Sequence, residues 1–554
     1  MPVEKWFGAN AQSNAVLWQV AVIFFLSLII RLIGIGTTPI QADELYHLLA
    51  SQSWQTNGNF KILDGEYTRA GGFTALIGVI HKLHGGDATM LAARIPSIMS
   101  GAMLCALLFT WLSKVADNKV AWVGALLFSF AHFVVTISQF ARFYALHALL
   151  IFVASMAIYS VVVDCKSYWR LLVAGVVVLF AFHLQVTTAI ALVALGAWAL
   201  VDWACQPYGR SVLKNMRYRS WLLVLATIGL VIGWYFLDKF LPEFRYAPLW
   251  AEQAKDNVLY YYTDFRLKMP ILSQLFPLAV IAALSRWSRP AFFCVSMFAI
   301  PMVVHSLGAM KSTRYVYYAL PYFFAVWGMA MAVFLPAAFK MVEQAISSFT
   351  DYLQMPLSDA ARKGGASLLC AVVVFAASLG NPVYTNTFRD LGDRLKGGAS
   401  NISNLAALPP DPPWTGQTAA LKNAIGNPSI LVTADDLRTI TYLQSYDVLL
   451  NASVLSDVRS WQDFDVDFRT GRLMIASAEA VEKLIQCYPD GAILVPESRW
   501  RVASGVNPQA ADVIEKMAIP SPPVTGFHIF KWQTSNMADN CIAFRQSLKE
   551  KRHG

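Results

Sequence analysis

Residues 11–30 carry no charge over twenty positions, enough for a helix rising about 1.5 Å per residue to cross a roughly 30 Å hydrocarbon core. A chain that opens this way has few folds open to it, because only helices and closed barrels satisfy their own backbone inside a bilayer. The stretch is too long for the apolar core of a cleaved signal and lacks a small-x-small cleavage pattern, so it reads as a retained signal anchor. Further apolar runs follow. With 56% hydrophobic and 14% charged residues and a mean hydropathy of +0.46, a soluble globule is excluded and a polytopic α-helical membrane protein is expected.

Arg210, Lys214, Arg217 and Arg219 cluster between two apolar segments and mark the best cytoplasmic loop. Working outward from it, spans are expected near 11–35, 91–112, 120–138, 143–163, 171–182, 184–201, 221–237, 271–284, 291–309, 315–336 and 366–380. That is about eleven transmembrane helices, with the N-terminus inside and the C-terminus outside. Residues 171–201 are read as two short helices broken near Phe182-His183, which places Lys114, Lys119, Lys166 and Arg170 on the cytoplasmic side. The polar stretch 340–363 reads as a cytoplasmic connector, its 341–350 part as an amphipathic helix on the inner leaflet.

The predicted division is a membrane domain at 1–380, a linker at 381–414 stiffened by the prolines of 408–413, and a soluble α/β domain at 415–554. Short apolar runs at 429–433, 473–476, 492–495 and 527–532 are strand candidates, and 478–487 and 509–517 are helix candidates. Their alternation predicts a small three-layer, Rossmann-like sandwich, without the Gly-x-Gly-x-x-Gly of dinucleotide binding. Residues 400–554 hold 14 Lys and Arg against 16 Asp and Glu, so the chain's net charge of +9 belongs to the membrane half. Such an excess suits anionic head groups or a phosphorylated lipid. No interleaved basic and aromatic run argues for nucleic acid.

With that topology, the loop 37–90, the connection Gln139-Phe140-Ala141-Arg142, the loop 238–270, the segment Lys311-Ser312-Thr313-Arg314 and the C-terminal domain all share the outer face. The loop 37–90 begins with adjacent acids, Asp43 and Glu44, and contains an apolar run, 71–83, too short to span and read as a helix lying in the interface. Arg69, Arg142, Lys311 and Arg314 are the cations opposite the acids. Guanidinium and ammonium groups hold phosphate through charge-assisted hydrogen bonds, while a carboxylate can deprotonate an incoming hydroxyl or amine. The chemistry indicated is displacement of a lipid phosphate from a sugar.

These landmarks carry a resemblance. Asp43-Glu44 after the first span, Ala92-Ala93-Arg94-Ile95-Pro96-Ser97 opening the second, Phe140-Ala141-Arg142-Phe143-Tyr144-Ala145-Leu146 at the fourth, and Lys311-Ser312-Thr313-Arg314-Tyr315 with Pro321 downstream resemble the polyprenyl-phosphate-sugar-dependent glycosyltransferases. These are GT-C membrane enzymes that include protein O-mannosyltransferases and lipid A aminoarabinose transferases. The resemblance covers residues 11–335 and implies a GT-C-like fold. It also implies Asp43 as catalytic carboxylate with Glu44 orienting the acceptor or sugar, and Arg69, Arg142, Lys311 and Arg314 as the donor phosphate and sugar site. The chain departs from the aminoarabinose transferases at Tyr67-Thr68-Arg69-Ala70-Gly71-Gly72, where they carry a Lys-Pro-Pro-like stretch. The implied partners are a polyprenyl-phosphate-linked sugar and a glycolipid, polysaccharide or protein acceptor, at a bacterial inner membrane with the site on the periplasmic side. No nucleotide sugar or other cofactor is required, with assistance by a divalent metal left open.

Plainer readings stand beside these. Acids cap helix N-termini, and interfacial arginines anchor or pack. Asp43 and His47 share a helical face and His81 and His84 are three apart, which makes His47, His81 and His84 weak metal candidates without an evident third ligand. Of seven cysteines, only Cys487 and Cys541 fall in the outer domain, where an oxidising exterior would permit a disulfide. The rival functions are a lipid-linked sugar transporter or flippase, and a subunit that binds such a sugar without turning it over.

Overall fold

The computed structural model describes residues 11–38, 40–86, 89–207, 244–245, 254–354, 358–379, 381–396, 414–451, 464–502, 505–534 and 541–553. The chain divides into two compact units, one of residues 1–38, 94–245 and 256–400, the other of 39–93, 246–255 and 401–554. The expected span at 221–237, the Arg210 to Arg219 cluster and the prolines of 408–413 lie outside the described residues.

The first unit is helical. Ala11–Leu32, Met90–Val115, Tyr144–Val162, Trp169–Leu184, Thr188–Cys205, Phe276–Arg286, Ser288–Leu307, Leu320–Tyr352 and Asp359–Leu379 fall on the expected spans. Asn118–Phe130 and His132–Gln139 form one more, bent by 60° between them. Among the described residues five helices are long and apolar enough to cross a membrane, or six with the bent pair counted as one span. The stretch 171–201 is two helices, broken at 185–187.

One expectation differs. Residues 341–350 do not form a separate surface helix, because the helix that begins at Leu320 runs unbroken to Tyr352. Its lower half is built from strong helix formers such as Ala, Lys, Met, Glu and Gln, and Pro336 alone does not end it. Of the stretch 381–414, Pro382–Leu395 is a helix started by the Asn381 side chain, which accepts from the Val383 amide; 397–413 lies outside the described residues.

Aromatic contacts fill the bundle. Phe293 meets Trp198 at 4.7 Å and Tyr159 at 4.9 Å between ring centroids, and Trp111 meets Tyr159 at 5.6 Å. Asp202 on Thr188–Cys205 takes both forks of Arg289, at 3.0 and 2.7 Å. Elsewhere helices touch through small residues. A Cβ on Gly328 would lie 2.9 Å from the Gly124 Cα and the Val120 carbonyl oxygen, so the helices Asn118–Phe130 and Leu320–Tyr352 pack backbone to backbone there.

The exit of the first helix is held by arginines. Arg31 gives Nε to Ser138 at 2.8 Å, and Gln139 Nε2 donates to the Arg31 carbonyl at 2.8 Å. Arg94 donates to the carbonyls of Ile35 and Thr38 at 2.9 and 3.1 Å. Arg394, from Pro382–Leu395, reaches the Ile33 carbonyl at 3.3 Å and Gln139 Oε1 at 2.9 Å. All three arginines are buried.

The second unit joins the loop after the first helix to the C-terminal domain. Its loop part contains the helix Ala42–Asn57, a short hairpin of β1 (Lys61–Ile62) and β2 (Gly65–Glu66), and the helix Gly71–Leu83. The last of these buries Phe73, Ile77 and His81 and exposes Leu76, Val79 and Leu83. An apolar stripe on the outer side is what a helix lying in a membrane interface presents.

The domain part is a seven-stranded sheet of β3 (Leu431–Thr433), β4 (Val448–Leu450), β5 (Asp465–Asp467), β6 (Arg472–Ile475), β7 (Asp490–Pro496), β8 (Ile519–Pro520) and β9 (Phe527–Gln533). The order is β5-β6-β4-β3-β7-β9-β8, with β6, β4, β3 and β7 parallel and the edges antiparallel. Alternate residues feed opposite faces. Val432, Ile493 and Val495 pack with the helices Ala478–Cys487 and Pro508–Met517, while Ala492, Leu494 and Ile529 pack with Trp414–Ile425. The three-layer α/β sandwich is therefore present.

Cys487 and Cys541 are joined in a disulfide, with their Cα atoms 4.9 Å apart, and five cysteines are free. Thiol titration of the denatured chain should accordingly find about five thiols before reduction and about seven after it, and about seven in both would refute the bond. Substituting Gly328 with valine should destabilise the bundle by about 1–3 kcal/mol through overpacking, read as a lower unfolding midpoint in detergent.

Candidate functional site

The predicted site residues divide between the units: Asp43, Glu44, His47, Arg69, His81 and His84 belong to the second, Arg142, Lys311 and Arg314 to the first.

In the second unit the two adjacent acids have different surroundings. Glu44 is buried and folds back as the third residue of its helix to accept from the Gln41 amide at 2.9 Å, a capping box. Asp43, in the same first turn, is only half-buried. Sequence alone does not separate them, since either acid suits a helix N-terminus. Arg69 is exposed on the loop before Gly71–Leu83.

Two of the three histidines, His47 and His81, are buried. His47 Nδ1 lies 2.9 Å from Thr74 Oγ1, and the ring sits edge-on to Tyr67 and Phe73 at 5.3 and 5.1 Å. His81 Nε2 is 3.2 Å from the Thr89 carbonyl oxygen, and burial pushes its pKa below the ordinary value. His84 is exposed at the end of its helix. Among the described residues no group of three His, Cys, Asp or Glu side chains is placed to hold a metal.

One turn beyond Asp43, Tyr46 turns toward the domain. Its hydroxyl donates to Asp436 Oδ2 at 3.3 Å, its ring stacks on Tyr67 at 5.0 Å and 9°, and the Arg469 guanidinium stands 5.3 Å from its centroid. Burial lifts the Asp436 carboxyl to about 6, against the pull of Arg469 and with help from Asp467 and Asp435. Nothing in the sequence pattern marks Asp436 or Arg469 as partners of the first loop.

In the first unit Arg142 and Arg314 come together on one aromatic ring. Arg142 is buried in the turn between His132–Gln139 and Tyr144–Val162, where its carbonyl accepts from Ser97 Oγ at 2.7 Å. Its guanidinium lies 5.6 Å from the Tyr144 centroid and that of Arg314 lies 5.9 Å from the same centroid. Each also covers a neighbouring ring, Phe143 at 5.3 Å and Tyr315 at 5.5 Å.

The Arg314 segment is secured by the helix Tyr260–Lys268. Tyr261 donates to the Ser312 carbonyl at 3.2 Å, Lys268 Nζ reaches Thr313 Oγ1 at 2.8 Å and Asp264 at 2.8 Å, and Thr313 also donates to Asp264. The Asp264 to Lys268 spacing of one helical turn is readable in sequence, but its target is not. Lys311 is buried, and that burial pushes its pKa down while Asp256 opposes the shift.

No protein-family model matches the chain, and no curated protein matches it by sequence. Solved structures do match in fold. The chain is similar to ArnT from Cupriavidus metallidurans bound to undecaprenyl phosphate, at 13% identity and a TM-score of 0.55, covering 97% of this chain and 100% of that one. Against ArnT in the apo state the figures are 11%, 0.56, 93% and 98%. Against the archaeal oligosaccharyltransferase AglB from Archaeoglobus fulgidus, in complex with an inhibitory peptide and a dolichol-phosphate, they are 11%, 0.51, 94% and 75%. These are GT-C glycosyltransferases, and the chain has their fold.

The lifted Asp436 carboxyl gives a pH test. The folded chain binds this proton more tightly than the unfolded one, so a cost of its charge is present above about pH 6 and is relieved as pH falls through that value. Asp436→Asn should raise the unfolding midpoint at about pH 7.5 and raise it clearly less at about pH 4.5, the difference vanishing only below the unfolded carboxyl's pKa. An equal shift at both would show that the carboxyl is not perturbed.

Proposed function

We propose that this chain transfers a sugar from a polyprenyl phosphate carrier to a glycolipid, polysaccharide or protein acceptor on the outer face of a membrane. The observation that carries the reading is the Arg142–Tyr144–Arg314 cluster on a GT-C fold. Two guanidiniums fixed by one ring form a preorganised anion site, and Lys311 adjoins it in sequence. In this reading the cluster takes the lipid phosphate. Structures of this fold have been solved with undecaprenyl phosphate and with dolichol-phosphate.

Asp43 serves as the catalytic carboxylate. It accepts the proton of the acceptor hydroxyl or amine as that atom bonds to the anomeric carbon. The bond from that carbon to the phosphate oxygen breaks, and the polyprenyl phosphate leaves with its charge held by the arginines. General-base help typically contributes roughly 10²–10⁴-fold, and preorganised stabilisation of the leaving charge adds a second large term. Glu44 holds the turn that presents Asp43, and Arg69 assists at the exposed rim. The chain crosses a bacterial inner membrane about eleven times, with the first loop and C-terminal domain on the periplasmic side.

The test is release of free polyprenyl phosphate from a panel of polyprenyl-phosphate sugars by the purified protein with membrane glycolipid extract. Asp43→Asn should lower kcat by roughly 10²-fold or more with donor binding retained. Arg142→Ala and Arg314→Ala should weaken donor binding instead. Donor binding with no release by the wild type would favour a binding subunit, and donor movement across vesicles without cleavage a transporter.

A further inference from the structure

The C-terminal domain reaches the first loop along the turn between β5 and β6 and at the start of the helix Asp436–Leu443. The β1–β2 hairpin lies along the turn: the Asp64 amide donates to the Thr470 carbonyl at 3.0 Å and the Glu66 amide to the Phe468 carbonyl at 3.3 Å. A Cβ on Gly65 would come within 2.5 Å of the backbone of Arg469, Thr470 and Gly471. Arg472 adds an ion pair to Asp64 at 3.4 Å. Arg469 also covers Tyr46, whose hydroxyl donates to Asp436.

The turn is itself braced by buried polar groups. Asp467, fully buried, accepts from Arg469 Nε at 2.9 Å and from Thr470 Oγ1 at 3.0 Å, and the Tyr446 hydroxyl lies 2.9 Å from the same Thr470 oxygen. Burying an ion pair gains little stability over apolar packing of the same volume. Its distinctive effect is directional, because a guanidinium fixed by a carboxylate has one orientation to offer. Here that orientation meets the ring one turn from Asp43, on the same side of the helix.

We propose that Arg469, with Asp467 behind it and Asp436 beside it, is a positioning residue that sets the angle of the helix Ala42–Asn57 and hence the aim of Asp43. The C-terminal domain is then part of the catalytic apparatus without touching substrate. This rests on the reading of Asp43 as the catalytic carboxylate. A catalytic group displaced by about 1 Å can lose roughly 10²-fold in rate, so the effect belongs in kcat.

The full-length protein tests this with Tyr46→Phe, Arg469→Gln and Arg469→Lys, using polyprenyl phosphate release and hydrogen exchange together. Tyr46→Phe keeps the stacked ring and removes only the hydroxyl, so it should fold even where Arg469→Gln does not. Expected is a kcat about tenfold lower or more in Arg469→Gln, with donor KM within about twofold, partial rescue by lysine, and a smaller loss in Tyr46→Phe. Amides of 42–57 should exchange faster while those of β7 stay protected.

Wild-type kcat in both Tyr46→Phe and Arg469→Gln, with Asp43→Asn inactive, would overturn the positioning role alone. Activity retained in Asp43→Asn would overturn the catalytic reading and this inference with it. Should no donor turn over, exchange decides: unchanged protection of 42–57 in Arg469→Gln overturns the proposal.

Discussion

A helix that leaves the hydrocarbon core ends with carbonyls that have no partner of their own, and at that depth water does not supply one. The first helix and the turn after it are served by side-chain donors from three distant parts of the chain, two guanidiniums and one amide. Arg94 takes the carbonyls of Ile35 and Thr38, Arg394 that of Ile33, and Gln139 serves Arg31. The C-terminal end of a helix carries partial negative charge, so cations are the favourable donors there. Asp390 stands near Arg394 and pairs with His132 at 2.7 Å, at the bend of the two-part span. The point where the chain turns out toward Asp43 is thereby tied to the Met90–Val115 helix, to the bent span and to Pro382–Leu395.

Those arginines show what sequence could and could not give. Their positions beside apolar runs read as ordinary interfacial anchors, because hydropathy sees the flank of a span and not the carbonyls awaiting a donor. Long apolar periods were legible, as were β7 and β9 with their seven-residue runs. Strands of three residues such as β4 and β5 offer too few positions for a period of two to appear, and β5, Asp-Val-Asp, looks like loop. The helix Asp436–Leu443 gives no helical period in its eight residues, because the buried ones, Leu437, Arg438, Thr439 and Ile440, are consecutive and half of them polar.

The candidate site was legible in its parts and not in its pairings. Arg142 and Arg314 stood out as cations beside aromatic residues at the ends of spans, but their sharing of Tyr144 depends on how two distant connections fold toward each other. Asp43 and Glu44 stood out as a pair and turned out to be unlike. One position along a helix rotates a side chain by about 100°, enough to send Glu44 back to the Gln41 amide and leave Asp43 half-buried. An acid that closes a capping box has one oxygen held by the backbone at the helix start. The local geometry thus separates two chemically similar residues where composition could not.

A parallel α/β sheet without a nucleotide fingerprint accompanies this loop for a physical reason. A loop of some fifty residues with one short hairpin and two helices buries little apolar surface by itself, and small units of this kind are marginal without a support. The domain supplies one: the hairpin is hydrogen-bonded to the β5–β6 turn, and Tyr46, stacked on Tyr67 within the loop, meets Asp436 and Arg469. Apolar packing alone would hold the loop down but would tolerate sliding. Backbone hydrogen bonds at Asp64 and Glu66, the close approach of Gly65 and Gly471, and the directed contact of Arg469 remove that freedom in three different ways. The Arg469 contact falls on Tyr46 itself, so the cost of burying Asp467 and Arg469 is concentrated where orientation of the acid-bearing helix is decided.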